Sequence, residues 1–202
     1  FFAVTVSLSV TAEDIELYVN HNVETDEKPR VIIVFDTSGS MGSKLPYNGP
    51  KKIDAAKDAM TQLVNDNSAI DFGLMRFNYY SGGYVMAGLG SSHDTITNKI
   101  YALPASGSTP VTETLWEAYL YLTGQKVKFG YNSTDYNYDY KRDLSVETVS
   151  QYSQKNSYYY SPFSSTDERC DNSISLILMT DGDPVSDSEV NGLVKEAYKK
   201  RF

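Results

Sequence analysis

The sequence predicts an α/β fold built on an open, mostly parallel sheet, and three observations carry that expectation. The run Val31 to Phe35 is wholly apolar, which suits a strand buried on both faces at the centre of such a sheet. SISLILM, at 173–179, is a second run of the same kind, and the two lead into Asp36 and Asp181. Amphipathic helical patterns lie between them, IDAAKDAMTQLVN at 53–65 and VTETLWEAYLYL at 111–122.

The elements follow in chain order. FFAVTVSLSV (1–10) is uncharged and apolar, of about the length of a signal-peptide h-region, while the alternation in AVTVSLSV equally suits a β-strand. It is too short to span a bilayer as a helix, and no membrane span is expected. Within 14–30, IELYV reads as a short strand and VETDEKP as a polar connector. After the first apolar strand, SKLPYNGPKK is rich in turn residues. In 53–65, Ile53, Ala56, Met60, Leu63 and Val64 share one helical face. DFGLMRF and YVMAGLG read as strands joined by the tight YYSGG turn. SHDTITNKIYAL is a short helix with Ser92 or Asp94 near its start. In 111–122 the stripe is Val111, Leu115, Ala118 and Leu122, with Thr112 and Thr114 placed to help cap the helix. Residues 186–200 suggest a last helix, weakened by Gly192.

The chemistry concentrates where the apolar strands end. In DTSGS, an aspartate and two hydroxyls at alternating spacing, Asp36, Ser38 and Ser40, occupy one loop. Oxygen-only, partly neutral clusters suit a hard divalent cation, magnesium above all. The other reading is a capped turn, with Asp36 or Ser38 as a helix N-cap. Two further segments bear on the choice: Thr109 lies in a Gly/Ser loop just before a helix, and Asp181 follows the second strand. In open α/β sheets ligands sit beyond the carboxyl ends of the strands, where the strand order reverses. Three separated oxygen-bearing loops are thus placed to converge on one site.

The pattern DxSxS, a distant Thr and a distant Asp is the metal-ion-dependent adhesion site of the von Willebrand factor type A family. This chain resembles that family at Asp36, Ser38, Ser40, Thr109 and Asp181, with nothing missing. The resemblance implies a doubly wound sheet with helices on both faces, occupying residues 13–202 and lacking later strands. It also implies that Ser38, Ser40 and Thr109 approach a cation through hydroxyls, while the aspartates hold it directly or through water. The cation would be Mg2+, with Mn2+ or Ca2+ as alternatives. One open position would await an acidic group of a protein partner.

A narrower resemblance lies in GSTPVTETLWEAYLYLTGQ (107–125), the stretch 158–187 and EDIELYVN (13–20). These phrases are similar to the PilY1/PilC family of type IV pilus tip proteins, large secreted bacterial proteins with a C-terminal β-propeller. That likeness implies export to the periplasm, cell surface or pilus tip, and partners among minor pilins. It also favours reading residues 1–12 as a signal remnant, because Glu13 would then begin the mature chain.

Composition narrows the function classes. At 41% hydrophobic, 202 residues are enough to bury a sizeable core. A formal charge of −8 argues against nucleic acid, which needs clustered Lys and Arg. The one dense basic run, Lys199-Lys200-Arg201, reads as the end of a solvated helix. An enzyme is not expected. A haloacid-dehalogenase-type phosphatase wants an acid two residues after its aspartate, and Ser38 stands there; Ser38 as nucleophile lacks the G-x-S-x-G elbow. His21 and His93 read as surface or turn residues.

The segment 130–169 has no clear period and is loaded with Tyr, Asn and Ser, including Tyr131, Tyr136, Tyr138, Tyr140, Tyr152, Tyr158, Tyr159 and Tyr160. It reads either as a sticky binding surface that makes no core or as a long insert packed on its own domain. Cys170, the sole cysteine, is either an unpaired buried thiol or, in a secreted protein, paired elsewhere. Two functional classes follow: a metal-dependent adhesion module at a pilus tip, and an intracellular A-domain that scaffolds a chelatase or AAA-type assembly.

Overall fold

The apolar run Val31 to Phe35, with Arg30 before it, forms strand β1 (Arg30–Phe35), whose last four side chains are fully buried. It is the axis of the computed structural model, which describes residues 28–130, 142–149, 156–163 and 173–182. The expectations for residues 1–12, IELYV, His21, Tyr131 to Tyr140, Tyr152, Cys170 and the 186–200 helix lie outside the described residues. After β1 come a 3-10 turn at Gly39–Gly42, helix α1 (Lys52–Asp66), and strands β2 (Asp71–Phe77) and β3 (Gly83–Ala87). Helices α2 (His93–Ala102) and α3 (Val111–Leu122) and strand β4 (Ile174–Met179) complete the order.

The sheet runs β3-β2-β1-β4, a mostly parallel arrangement as expected. β1 lies parallel to both β2 and β4, and only the β2–β3 hairpin is antiparallel. Alternation along β1 divides the core. Ile33 and Phe35 pack with Ile53 and Val64 of α1 and Ile96 and Ile100 of α2. Ile32 and Val34 face the other way, with Ala118, Leu120 and Tyr121 of α3. Helices thus cover both faces, and β1 is apolar from Val31 to Phe35 because neither face meets water over its buried last four residues. The chain leaves β1 for β2 on one side, while β4 joins on the other. The strand order therefore reverses between β1 and β4, and their C-terminal ends lie side by side in register, Phe35 opposite Met179.

Several local expectations hold. α1 buries Ile53 and Val64, with Ala56, Met60 and Leu63 packed alongside. Ser92, not Asp94, is the N-cap of α2, accepting a hydrogen bond from Thr95 N. The turn-rich segment closes through Gly49 N to Pro46 O at 3.2 Å, with Tyr47 and Asn48 both left-handed. His93 is structural: its ring meets Phe72 edge-on and its Nε2 lies 3.0 Å from Ile70 O.

Three expectations are corrected. The α3 stripe is rotated: Leu115 is 37% exposed, whereas Glu113, Thr114 and Glu117 are buried. Neither Thr112 nor Thr114 caps α3. Its N-cap is Pro110, and the Thr114 hydroxyl instead donates to Pro110 O at 2.7 Å. The run at 173–179 is not buried on both faces, since β4 is half-exposed along most of its length. Among the described residues β4 pairs only with β1, so its outer flank lacks the neighbour that encloses β1.

The tyrosine-rich segment also proves to be core in part. Isolated bridges join Lys126 to Tyr158 and Glu147 to Tyr159, and Tyr159 packs with α3 against Tyr121. Arg142 and Glu147 form a fully enclosed ion pair at 2.9 Å beneath it. Tyr158 and Tyr160 remain exposed. No helix among the described residues is long and apolar enough to cross a membrane.

Candidate metal centre

At the end of β1 the backbone stays in the sheet one residue longer, Asp36 N donating to Met179 O at 2.9 Å. That bond fixes the Asp36 side chain at the seam between β1 and β4. One carboxylate oxygen accepts from Ser38 N at 2.7 Å, the side-chain-to-backbone turn that aspartate makes readily. The other accepts from the Thr180 hydroxyl at 2.7 Å. Thr37 points the opposite way and ties the loop to β2 through Phe77 O at 3.1 Å. Met41, buried in the core below, anchors the 3-10 turn.

The turn lifts Ser38 and Ser40 to the same side. Their hydroxyl oxygens lie 2.9 Å apart, and Ser40 Oγ donates to Asp181 Oδ1 at 2.7 Å. Four of the five predicted residues therefore form one chain of contacts. The fifth, Thr109, arrives by a backbone route. Ser106 N donates to Thr37 O at 2.8 Å, Gly39 N to Gly107 O at 3.0 Å, and Ser108 N to Tyr79 O at 2.9 Å. Gly107 is required there: its φ is +105°, and a Cβ would come within 2.7 Å of Tyr79 O. The loop of Thr109 is thus docked on the DxSxS loop, while its hydroxyl makes no hydrogen bond among the described residues. The capping reading survives only for Asp36, which holds a backbone N–H; Ser38 makes no side-chain cap bond.

Asp36 has no exposed surface, and it makes no ion pair among the described residues. Its two hydrogen bonds leave acceptor capacity on both oxygens. A carboxylate in that position is short of positive charge, since buried charges are normally paired or coordinate a metal. Asp181 differs. Burial pushes its carboxyl up, but hydrogen bonds from Lys52 and Ser40 and the Lys52 charge outweigh burial and hold it below the usual range. Lys52 Nζ lies 2.6 Å from Asp181 Oδ2.

The donor set fits a small hard cation. Ser38 Oγ, Ser40 Oγ and Asp181 Oδ1 follow one another at 2.9 and 2.7 Å, which gathers hard oxygen donors in one place. Among the described residues no three His, Cys, Asp or Glu side chains cluster to hold a metal. Hydroxyls beside two carboxylates are a donor set suited to magnesium and poor for softer metals.

Two contributors escape a reading of the sequence. Thr180 is masked by its place at the end of an apolar strand, although direct adjacency to Asp181 is a usable signal. Lys52 carries none, because only the fold brings it across 129 residues to Asp181.

No curated protein matches the chain. Among solved structures, the pilus adhesin SpaC from Lactobacillus rhamnosus GG aligns at 16% identity with a TM-score of 0.36. That alignment covers 57% of this chain and 14% of the adhesin. The family model for the von Willebrand factor type A domain matches residues 31–137, which span β1, the DxSxS loop and the Thr109 loop. The chain belongs to the von Willebrand factor type A domain family.

Proposed function

We propose that this domain is a metal-dependent interaction module. One divalent cation, magnesium before manganese or calcium, is held by Asp36, Ser38, Ser40, Thr109 and Asp181. The observation that carries this reading is the enclosed Asp36 carboxylate, without a cationic partner among the described residues, at the point where the strand order reverses. When bound, the cation supplies a local positive charge able to accept a carboxylate from a partner protein. The hydroxyls of Ser38 and Ser40 add donors without adding negative charge to that of the two carboxylates.

Binding, not catalysis, suits this chemistry. Ser38 and Ser40 hydroxyls engage each other and Asp181, a carboxylate already paired with Lys52, and no histidine is hydrogen-bonded to them among the described residues. The chain carries a formal charge of −8, so long-range attraction to an acidic partner is poor and selectivity has to come from the cation. Domains of this family mediate protein interactions. The pilus-tip phrases at 13–20, 107–125 and 158–187 support placing this one in an exported PilY1/PilC-type tip protein that meets a surface or a minor pilin.

Calorimetry with magnesium tests the site: wild type is expected to bind one ion and Asp36→Ala none. Equal affinity in both would remove Asp36 from the site. Adhesion or pilus assembly that persists in EDTA would show that the cation plays no part in partner binding.

A further inference from the structure

A lysine stands where a metal site would ordinarily gain nothing from one. Lys52 is the first residue of α1, and the N-cap before it is Lys51, which makes no side-chain cap bond. Positive charge at a helix N-terminus opposes the helix dipole, so neither lysine is there to stabilise α1. What Lys52 does make is one short contact, 2.6 Å from its Nζ to Asp181 Oδ2. Ser40 already occupies Asp181 Oδ1 at 2.7 Å. Each Asp181 oxygen thus accepts one hydrogen bond, as each Asp36 oxygen does, but one of the Asp181 donors carries a full positive charge, whereas both Asp36 donors are neutral.

We propose that Lys52 is a positioning residue that holds Asp181 in the outer shell of the cation and sets the charge the site presents to a partner. This rests on the metal-dependent reading given above. The charge count is direct. Two carboxylates would cancel a divalent cation, but Lys52 neutralises one of them and leaves the occupied site with a net positive charge. That residual charge is what an acidic partner group meets. Lys52 thus weakens the grip on the metal and strengthens the demand for a carboxylate, so cation and carboxylate favour one another reciprocally. The arrangement also makes the lysine specific to its position: its side chain is one-third exposed, while that of Asp181 is largely covered.

The test uses the whole chain with Mn2+ as the probe, in wild type, Lys52→Met and Lys52→Arg. Methionine keeps the stem length and removes a charge that α1 disfavours, so folding is preserved. Two readouts are combined, Mn2+ affinity by calorimetry and the number of metal-bound waters by water relaxation. In Lys52→Met, Asp181 is freed to enter the inner shell. Affinity is expected to rise on the order of tenfold, with about one bound water lost. Lys52→Arg retains the charge and should match wild type in both. Acetate added to the Mn2+-loaded proteins should bind wild type more tightly than Lys52→Met. Unchanged or weaker Mn2+ affinity in Lys52→Met, or an unchanged water count, would overturn the role of Lys52 while leaving the metal site in place. Wild type that takes up no Mn2+ would overturn the site and this role together.

Discussion

Asp36 and Glu117 are both carboxylates with no exposed surface, yet they occupy opposite surroundings. Asp36 stands at the C-terminal edge of the sheet beside two hydroxyls and a second carboxylate, with two donors for its two oxygens. Glu117 is enclosed under α3, where backbone N–H groups of Lys128 and Phe129 and the Tyr159 hydroxyl all point at it. Burial pushes the Glu117 carboxyl up, and those hydrogen bonds, with one from Gly130, oppose the shift only partly. The contrast separates two uses of a buried acid. Where donors fill the oxygens, the acid is a bracket that orders a loop. Where other oxygens gather beside an acid that makes no ion pair of its own, it is a candidate site.

The bracket reading explains the insert. Glu117 fixes the backbone at 128–130 just before the tyrosine-rich stretch begins, and Tyr159 returns to the same carboxylate from its far side. Arg142 donates to Gly130 O at 3.0 Å and pairs with Glu147, closing the base of the insert with a second buried acid. Burial also pushes the Glu147 carboxyl up, against the pull of Arg142. The base of the insert is thus ordered by polar groups, the opposite of the apolar layering around β1.

The largest effect that distinguishes the two acids is on stability. Glu117→Ala strands the backbone donors of Lys128, Phe129 and Gly130 and a tyrosine hydroxyl in the core, and is expected to cost about 3–5 kcal/mol. Asp36→Asn is expected to cost about 1 kcal/mol or less, because the amide oxygen still accepts from Ser38 N and the Thr180 hydroxyl can turn to accept from the amide nitrogen. The same Asp36 variant should lose cation binding. Denaturant melts of the two variants check this, and comparable losses would erase the distinction between bracket and site.

A smaller effect lies in pH dependence. The folded-state value of Glu117 is raised above its ordinary 4.5. Its contribution to stability is therefore full below that ordinary value and is lost as pH rises through the folded-state value. Glu117→Gln does not titrate. The stability advantage of wild type over this variant should shrink as pH rises above the ordinary carboxyl value of 4.5, read as the difference in Tm. A gap that widens with pH would mean Glu117 is stabilised as the charged form, which is how a ligand-binding acid behaves.

The two acids also differ in how far the sequence revealed them. The DxSxS loop, the strand before it and the closing aspartate are contiguous signals, because strand ends in a parallel sheet put chemistry into short loops. Glu117 has no such signal. Its donors lie 11 to 42 residues away, so a helical stripe chosen on polarity selects Leu115 and passes over the acid. Lys52, and the particular acid that Tyr159 meets, carry no sequence signal for the same reason: their partners are brought to them by topology. Apolar periodicity places β1 and α1 correctly, and fails on α3 where polar groups satisfy one another inside the core.

The smallest effect concerns Thr109, the one predicted ligand that the fold delivers without a side-chain contact. Its loop is held by the backbone bonds of Ser106, Gly107 and Ser108, none of which involves the Thr109 hydroxyl. Thr109→Ala should therefore leave stability within about 0.5 kcal/mol of wild type, as at other positions away from packing and hydrogen bonding. Gly107→Ala provides the control, since its left-handed φ and the closeness of Tyr79 O make an added Cβ disrupt the loop. If Thr109 stands at the partner-facing edge of the cation, its loss should weaken binding of an acidic partner more than it weakens Mg2+ binding. Calorimetry with Mg2+ alone, beside partner capture at saturating Mg2+, separates the two. Equal losses in both would place Thr109 with Asp36 among the groups that hold the metal, and no loss in either would leave its loop a purely structural neighbour of the DxSxS turn.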